Sequence, residues 1–265
     1  MKLPIFILIT STGALSIWFY LKFRRKRHRH NLIQAPFPDS WDTILMQYFP
    51  LYKVLPENLK LQLQCHIQIF IDEKTFEGQA GLSITDEIRI IIAAQACILL
   101  LNRQTDYYPK LKIIIVYPHN YVSDNGDICG GESWTFGPVV LSWDAVKHGV
   151  YDMLDGHNVV YHEFAHQLDQ EDGTGDGTPI LKSRSNYQTW TKVFTSEYKS
   201  HINNIFTDKK TILRPYGTVH PAEFFAVAAE AFFEKPIKMK NNHHELYDEM
   251  KNFFLVDPVT WFQNL

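Results

Sequence analysis

The chain is 265 residues long, 45% hydrophobic and 14% aromatic, which is enough to fill a core and excludes a wholly disordered protein. Its formal net charge of −3 hides an asymmetry: residues 1–30 carry seven Lys/Arg and no acid, leaving 19 basic and 29 acidic residues, a net −10, in the remainder. A body that acidic excludes nucleic acid as a partner, since phosphate binding needs a basic face, and three cysteines with no CxxC pair exclude a disulfide framework.

Residues 3–21, LPIFILITSTGALSIWFYL, run without a charge. As a helix they would span about 28 Å, close to the hydrocarbon thickness of a bilayer. Trp18 and Tyr20 near the end of the run suit an interface. The basic stretch KFRRKRHRH follows at once; cytoplasmic flanks carry such charge, and a cleavable signal does not. The expectation is one N-terminal transmembrane helix, a single-pass anchor in the cell membrane with the body facing the cytoplasm. Residues 1–30 thus form the anchor and its basic juxtamembrane segment. Residues 31–40, with Pro36 and Pro38, read as a linker, and 41–265 as one domain.

In that domain WDTILMQYF carries apolar residues at helical spacing, and Pro56 can open a second helix through LKLQLQCHIQIFIDE. Thr85 caps a third, DEIRIIIAAQACILLLN, with acids in its first turn. The period then changes: LKIIIVYP (111–118) and GPVVLSW (137–143) read as strands, the second as an edge strand able to pair a peptide. The stretch between them reads as loop. A helix over 156–170, started by Asp155, precedes a mobile glycine-rich loop, DGTGDGTP (172–179). Helices near 185–202, from Pro221 to the limit set by Pro236, and over 245–254 complete the chain. The fold class is α+β, mostly helical with a small mixed sheet.

The chemistry lies in HEFAH, residues 162–166. On a helix, positions i and i+4 share a face, so His162 and His166 can present both imidazoles to one metal. Glu163 stands beside the first histidine, where it can take a proton from the attacking water. A catalytic zinc needs a third protein ligand, and two candidates compete. Asp172 follows His162 by ten residues, but that arrangement needs a turn where Asp169 stands. Glu223 lies within the apolar run AEFFAVAAEAFF, where a carboxylate is costly unless paired or bound to metal; the reading favours Glu223. Asp169 reads either as a partner that orients a ligand imidazole or as a solvated acid at the helix end, and Glu230 either as such a partner or as a core carboxylate paired elsewhere. His119, His157, His220, His243 and His244 lack ligand spacing and read as surface residues.

HEFAHQLD, followed by Tyr216 and Glu223 at a seven-residue spacing and then FFAVAAEAFF, resembles the zinc-dependent peptidases of the Mlc titration factor A family. The metal-site pattern is also similar to the catalytic domain of anthrax lethal factor. The resemblance extends from about residue 40 to Pro258. It implies a zincin-like fold, one Zn2+ per chain held by His162, His166 and Glu223, and Glu163 as general base. It also implies Tyr216 as a phenol in the cleft that stabilises the oxyanion, and a peptide as substrate. The family's name adds a protein regulator as a possible partner. The membrane anchor and the 119–136 segment depart from the family pattern.

Overall fold

The computed structural model describes residues 3–124 and 126–262, with side chains from Leu15 onward. It divides into two units, Met1–Phe37 and Pro38–Leu265. The first is built on one helix, α1 (Leu3–Gln34), which continues from the apolar run through the basic stretch. Pro36 and Pro38 stand just past its end; proline lacks the N–H and drives the residue before it out of the helical region. The connection expected over 31–40 is therefore confined to 35–38. The expected membrane span falls for its greater part on residues 3–14, whose side chains lie outside the described ones. Among the described residues no helix is long and apolar enough to cross a membrane.

The second unit is α+β, mostly helical with a small mixed sheet. Helices α2 (Asp39–Tyr48), α3 (Pro50–Val54) and α4 (Glu57–Glu73) lead into strand β1 (Thr75–Gly78). Helix α5 (Asp86–Ile98) begins where the Thr85 hydroxyl accepts the Ile88 N–H at 3.3 Å, and every residue from Ile90 to Ile98 is buried. Five strands follow: β2 (Ile113–Tyr117), β3 (Tyr121–Val122), β4 (Ile128–Cys129), β5 (Gly131–Ser133) and β6 (Val139–Ser142). The main sheet has the order β1-β2-β6-β5, with β1, β2 and β6 parallel and β5 antiparallel to β6. Strands β3 and β4 form a separate hairpin.

This order corrects two expectations. β6, read as an edge strand, lies between β2 and β5 and is buried at all four residues, as a continuous β-branched run predicts for an interior strand. The edge on that side of the sheet is β5, inside the segment read as loop. A three-residue strand containing glycine has no periodic signature, and its pairing with β6 creates it.

The remaining elements are α6 (Trp143–Tyr151), α7 (Val159–Asp169), α8 (Arg184–Phe206), α9 (Pro221–Glu234), α10 (Pro236–Asn242) and α11 (His244–Phe254), with short 3-10 turns at Gln170–Asp172, Pro215–Thr218 and Pro258–Thr260. The Ser142 hydroxyl accepts the Ala145 N–H, so β6 passes directly into α6. Pro236, read as a stop, also opens α10 at its first turn. The start of α7 is Asn158, whose side chain accepts the Tyr161 N–H at 3.0 Å. Asp155, the expected cap, instead accepts the His157 N–H at 2.8 Å.

Helix α7 packs on α9, and all eleven residues of α7 are buried. On α9, Ala226, Ala228, Ala229 and Ala231 are buried among phenylalanines, and their small side chains admit close approach of a neighbouring helix. Phe224, Phe225, Phe232 and Phe233 fill the surrounding core, Phe225 against Trp190 and Phe233 against Phe254. Each such burial contributes about 1.5–3 kcal/mol. The helices that carry the candidate ligands are thus the centre of the hydrophobic core.

Candidate metal centre

Helix α7 presents His162 and His166 on one face, their Nε2 atoms 3.2 Å apart. Glu223, in the first turn of α9, brings Oε2 to 2.9 Å from His162 Nε2 and 3.3 Å from His166 Nε2. Three donors therefore stand 2.9–3.3 Å apart. Ligands at about 2.0–2.1 Å from a tetrahedral zinc are separated by about 3.3 Å, so the donor set fits that ion. Both histidines are almost fully buried, 6% and 8% exposed.

The electrostatics point the same way. His162 Nδ1 is 2.7 Å from Glu230 Oε1, which fixes the ring and directs Nε2 toward Glu223 and His166. Burial alone would lower the His162 imidazole, but hydrogen bonds to Glu223 and Glu230 overcome it and raise the group to about 10. The same histidines hold the Glu223 carboxyl well below the usual carboxylate range, against the upward pull of its own burial. A site this negative takes up a cation, and the buried nitrogens facing each other suit a metal ion.

Glu230 is buried without any exposure. Its Oε1 also accepts from Arg214 Nη2 at 2.8 Å, and its Oε2 accepts the Asn158 N–H at 2.8 Å. Asn158 in turn donates its amide to Gln95 Oε1 and to the Gly149 carbonyl. Of the two readings of Glu230, the structure supports the imidazole partner. Arg214, Asn158 and Gln95 escape sequence reasoning because no spacing rule joins them to a histidine on another element. The only signal was the buried carboxylate itself, which needs donors.

Glu163 is buried beside His162. Burial raises its carboxyl, the two histidines lower it, and Glu223 and Glu230 raise it again, leaving it above the ordinary value. Strand β5 lies directly against it: a Cβ on Gly131 would stand 2.5 Å from Val159 Cγ2 and 2.9 Å from Glu163 Oε1. Only glycine allows this approach. Two residues further, Ser133 Oγ accepts from Gln167 Nε2 at 2.8 Å, tying the strand to α7.

Tyr216 sits on the 3-10 turn before α9, its ring 5.8 Å from the His162 ring and half exposed. Burial, then the charges of Glu223 and Glu163, raise its phenol, which therefore remains a proton donor. Asp172 is not part of the cluster. Its Oδ1 accepts from the Thr174 N–H and hydroxyl in an exposed turn. Nor does Asp169 orient an imidazole through a hydrogen bond: its Oδ2 accepts the Gly177 N–H at 2.8 Å. With Trp190 Nε1 on the Gly177 carbonyl, this pins the glycine-rich loop that the composition alone marks as mobile. His157 is exposed, as read, but it does not stand apart from other metal donors: it lies with His148 and Asp155 in a cluster able to hold a metal.

Comparisons with known proteins bear on the family. Residues 22–255 match the model of the family described as glucose-regulated metallo-peptidase M90. The chain belongs to this metallopeptidase family. An uncharacterized protein of Synechocystis is 37% identical over 259 residues, covering 92% of this chain and 93% of its own length. Mlc titration factor A of Serratia proteamaculans is 26% identical over 247 residues, covering 88% of this chain and 92% of its own. Its counterpart in Pectobacterium atrosepticum is 27% identical over 236 residues, covering 82% and 88%. Family membership implies a metal, and the buried donor triangle of His162, His166 and Glu223 fits one.

Proposed function

We propose that this chain is a zinc-dependent peptidase of zincin-like design that hydrolyses peptide bonds with one Zn2+ held by His162, His166 and Glu223. The observation that carries the reading is the convergence of those three donors within 3.3 Å, with Glu163 buried beside them. Zinc in such a site acidifies water and polarises a carbonyl. Glu163 accepts the proton of the attacking water and returns it to the leaving amine. Its raised carboxyl range suits that exchange. Tyr216 turns its phenol toward the same space and donates a hydrogen bond to the oxyanion. Glu230, braced by Arg214 and Asn158, holds the His162 ring so that Nε2 faces the metal.

The far side of β5 bears no strand among the described residues, so an extended peptide can add there by backbone hydrogen bonds. Pairing of that kind is indifferent to side-chain identity, which favours short unstructured peptides over folded proteins. The apolar run 3–21 and the basic stretch after it tether the enzyme to the membrane in this proposal, with its catalytic body in the cytoplasm.

Glu163→Gln should abolish chelator-sensitive cleavage of short peptides while zinc content stays unchanged, because only the base is lost. Full activity in that variant would overturn the mechanism. A second reading rests on the name Mlc titration factor A carried by relatives at 26–27% identity: a protein that holds a regulator, with incidental peptidase activity. Glu163→Gln used as bait separates the two. Stoichiometric capture of one protein that the wild type leaves intact favours holding over cleavage.

A further inference from the structure

The loop between α6 and α7 carries a second group of metal donors, distinct from the buried triangle. His148 projects from the last turn of α6, and Asp155 and His157 flank Gly156 in the loop. One ligand atom from each lies within 4.8 Å of the others, and His148 Nε2 is 3.8 Å from Asp155 Oδ2. The loop is shaped to keep them together. Asp155 Oδ1 accepts the His157 N–H, which fixes the carboxylate and leaves Oδ2 toward His148. Gly156 adopts φ +73°, a left-handed conformation that side chains resist. Any Cβ there would also stand 2.7 Å from Lys235 Nζ. Beneath the loop, Glu234 Oε2 accepts the same His157 N–H, so the backbone under the cluster is held from two sides.

We propose that His148, Asp155 and His157 form a second, exchangeable site for a divalent transition metal. Two imidazoles and one carboxylate suit Zn2+, Co2+ or Ni2+ rather than Ca2+ or Mg2+, which take oxygen ligands. Closing the donors onto an ion asks exposed side chains to move by roughly an ångström to reach the spacing of about 3.3 Å. His148 is free to do so, with more than half its side chain in solvent. The site is the weaker of the two. Neither imidazole has a buried carboxylate behind it of the kind Glu230 gives His162, and the Lys235 ammonium stands nearby. Loss of such backing lowers metal affinity by about 10–100-fold. The loop is also connected to the buried centre: the peptide after His157 donates the Asn158 N–H to Glu230, which holds His162. Two hydrogen bonds separate the two sites.

The test is titration of the metal-stripped full chain with Zn2+ alone, followed by calorimetry, and with Co2+, followed by visible absorption. Wild type should bind two equivalents, the second about 10–100-fold weaker. His148→Gln and Asp155→Asn, both near the surface, should each remove the weak equivalent and leave the tight one. His162→Gln should remove the tight equivalent and leave the weak one, so failure here is distinguishable from failure of the proposed peptidase centre. A single equivalent in wild type would overturn the proposal. So would a weak class that persists in the His148→Gln/His157→Gln variant, or loss of both equivalents together in His148→Gln.

Discussion

Two clusters with the same donors, two histidines and a carboxylate, occur in this chain, and they differ in everything behind the donors. At the buried centre His162, His166 and Glu223 come from helices packed in the core, and Glu230, Arg214 and Asn158 hold the first ring from behind. At the α6–α7 loop, His148, Asp155 and His157 are held by a turn, by the backbone hydrogen bond to Glu234 and by the contact of the two imidazole rings. Donor identity makes a metal possible. Burial and bracing decide how tightly it is held and whether it can do chemistry.

The sharpest way to break this comparison is to remove the carboxylate from the buried set. Glu223→Ala should lose the tight metal altogether, whereas Asp172→Ala should keep it, as metal analysis of the two purified variants will show. The opposite result would move the centre to a different wiring. Next in size, Tyr216→Phe should lower kcat by about 10²–10³-fold, the cost of one oxyanion donor, with zinc content unchanged. A matching fall in metal content would make Tyr216 structural instead.

Glu230→Gln tests the bracing itself. It keeps the shape of the side chain and removes the charge behind His162, so the tight affinity should fall by about 10–100-fold while the loop site is unaffected. Equal weakening of both sites would erase the distinction drawn here. The smallest effect concerns Glu234, whose carboxyl burial raises from 4.5 to about 9. The folded state keeps a proton that the unfolded chain gives up, so stability is fully present below the unfolded value and is lost as pH rises toward 9. Glu234→Gln removes that titration and can still accept from the His157 N–H. Its midpoint of thermal unfolding should fall less than that of wild type between about pH 5 and pH 9; identical slopes would refute the assignment.

Much of this was legible in the sequence. HEFAH on a helix and a glutamate stranded in an apolar run are patterns with a physical cost or a physical spacing, and the structure brings them together. The capped helix α5 and the β-branched strands β2 and β6 were legible for similar reasons. What escaped was whatever depends on pairing between distant segments. β5 has three residues, one of them glycine, and exists only because β6 lies beside it. The start of α7 fell to Asn158 rather than Asp155, because Asn158 also satisfies Glu230, Gln95 and Gly149. His148 and His157 are nine apart across a loop, a spacing that matches no helix or strand period.

The complete burial of α7 has a consequence in time. Opening free energies within a protein range from near zero at frayed ends to the full unfolding free energy in the core. A helix with no exposed residue, packed on α9 through the same turns that carry His162 and Glu223, belongs at the upper end of that range. Its amide protons should be among the last in the molecule to exchange with deuterated solvent. An ion at the buried centre would then rest on a frame that seldom opens, whereas one at the loop would rest on a turn near the surface that opens more readily.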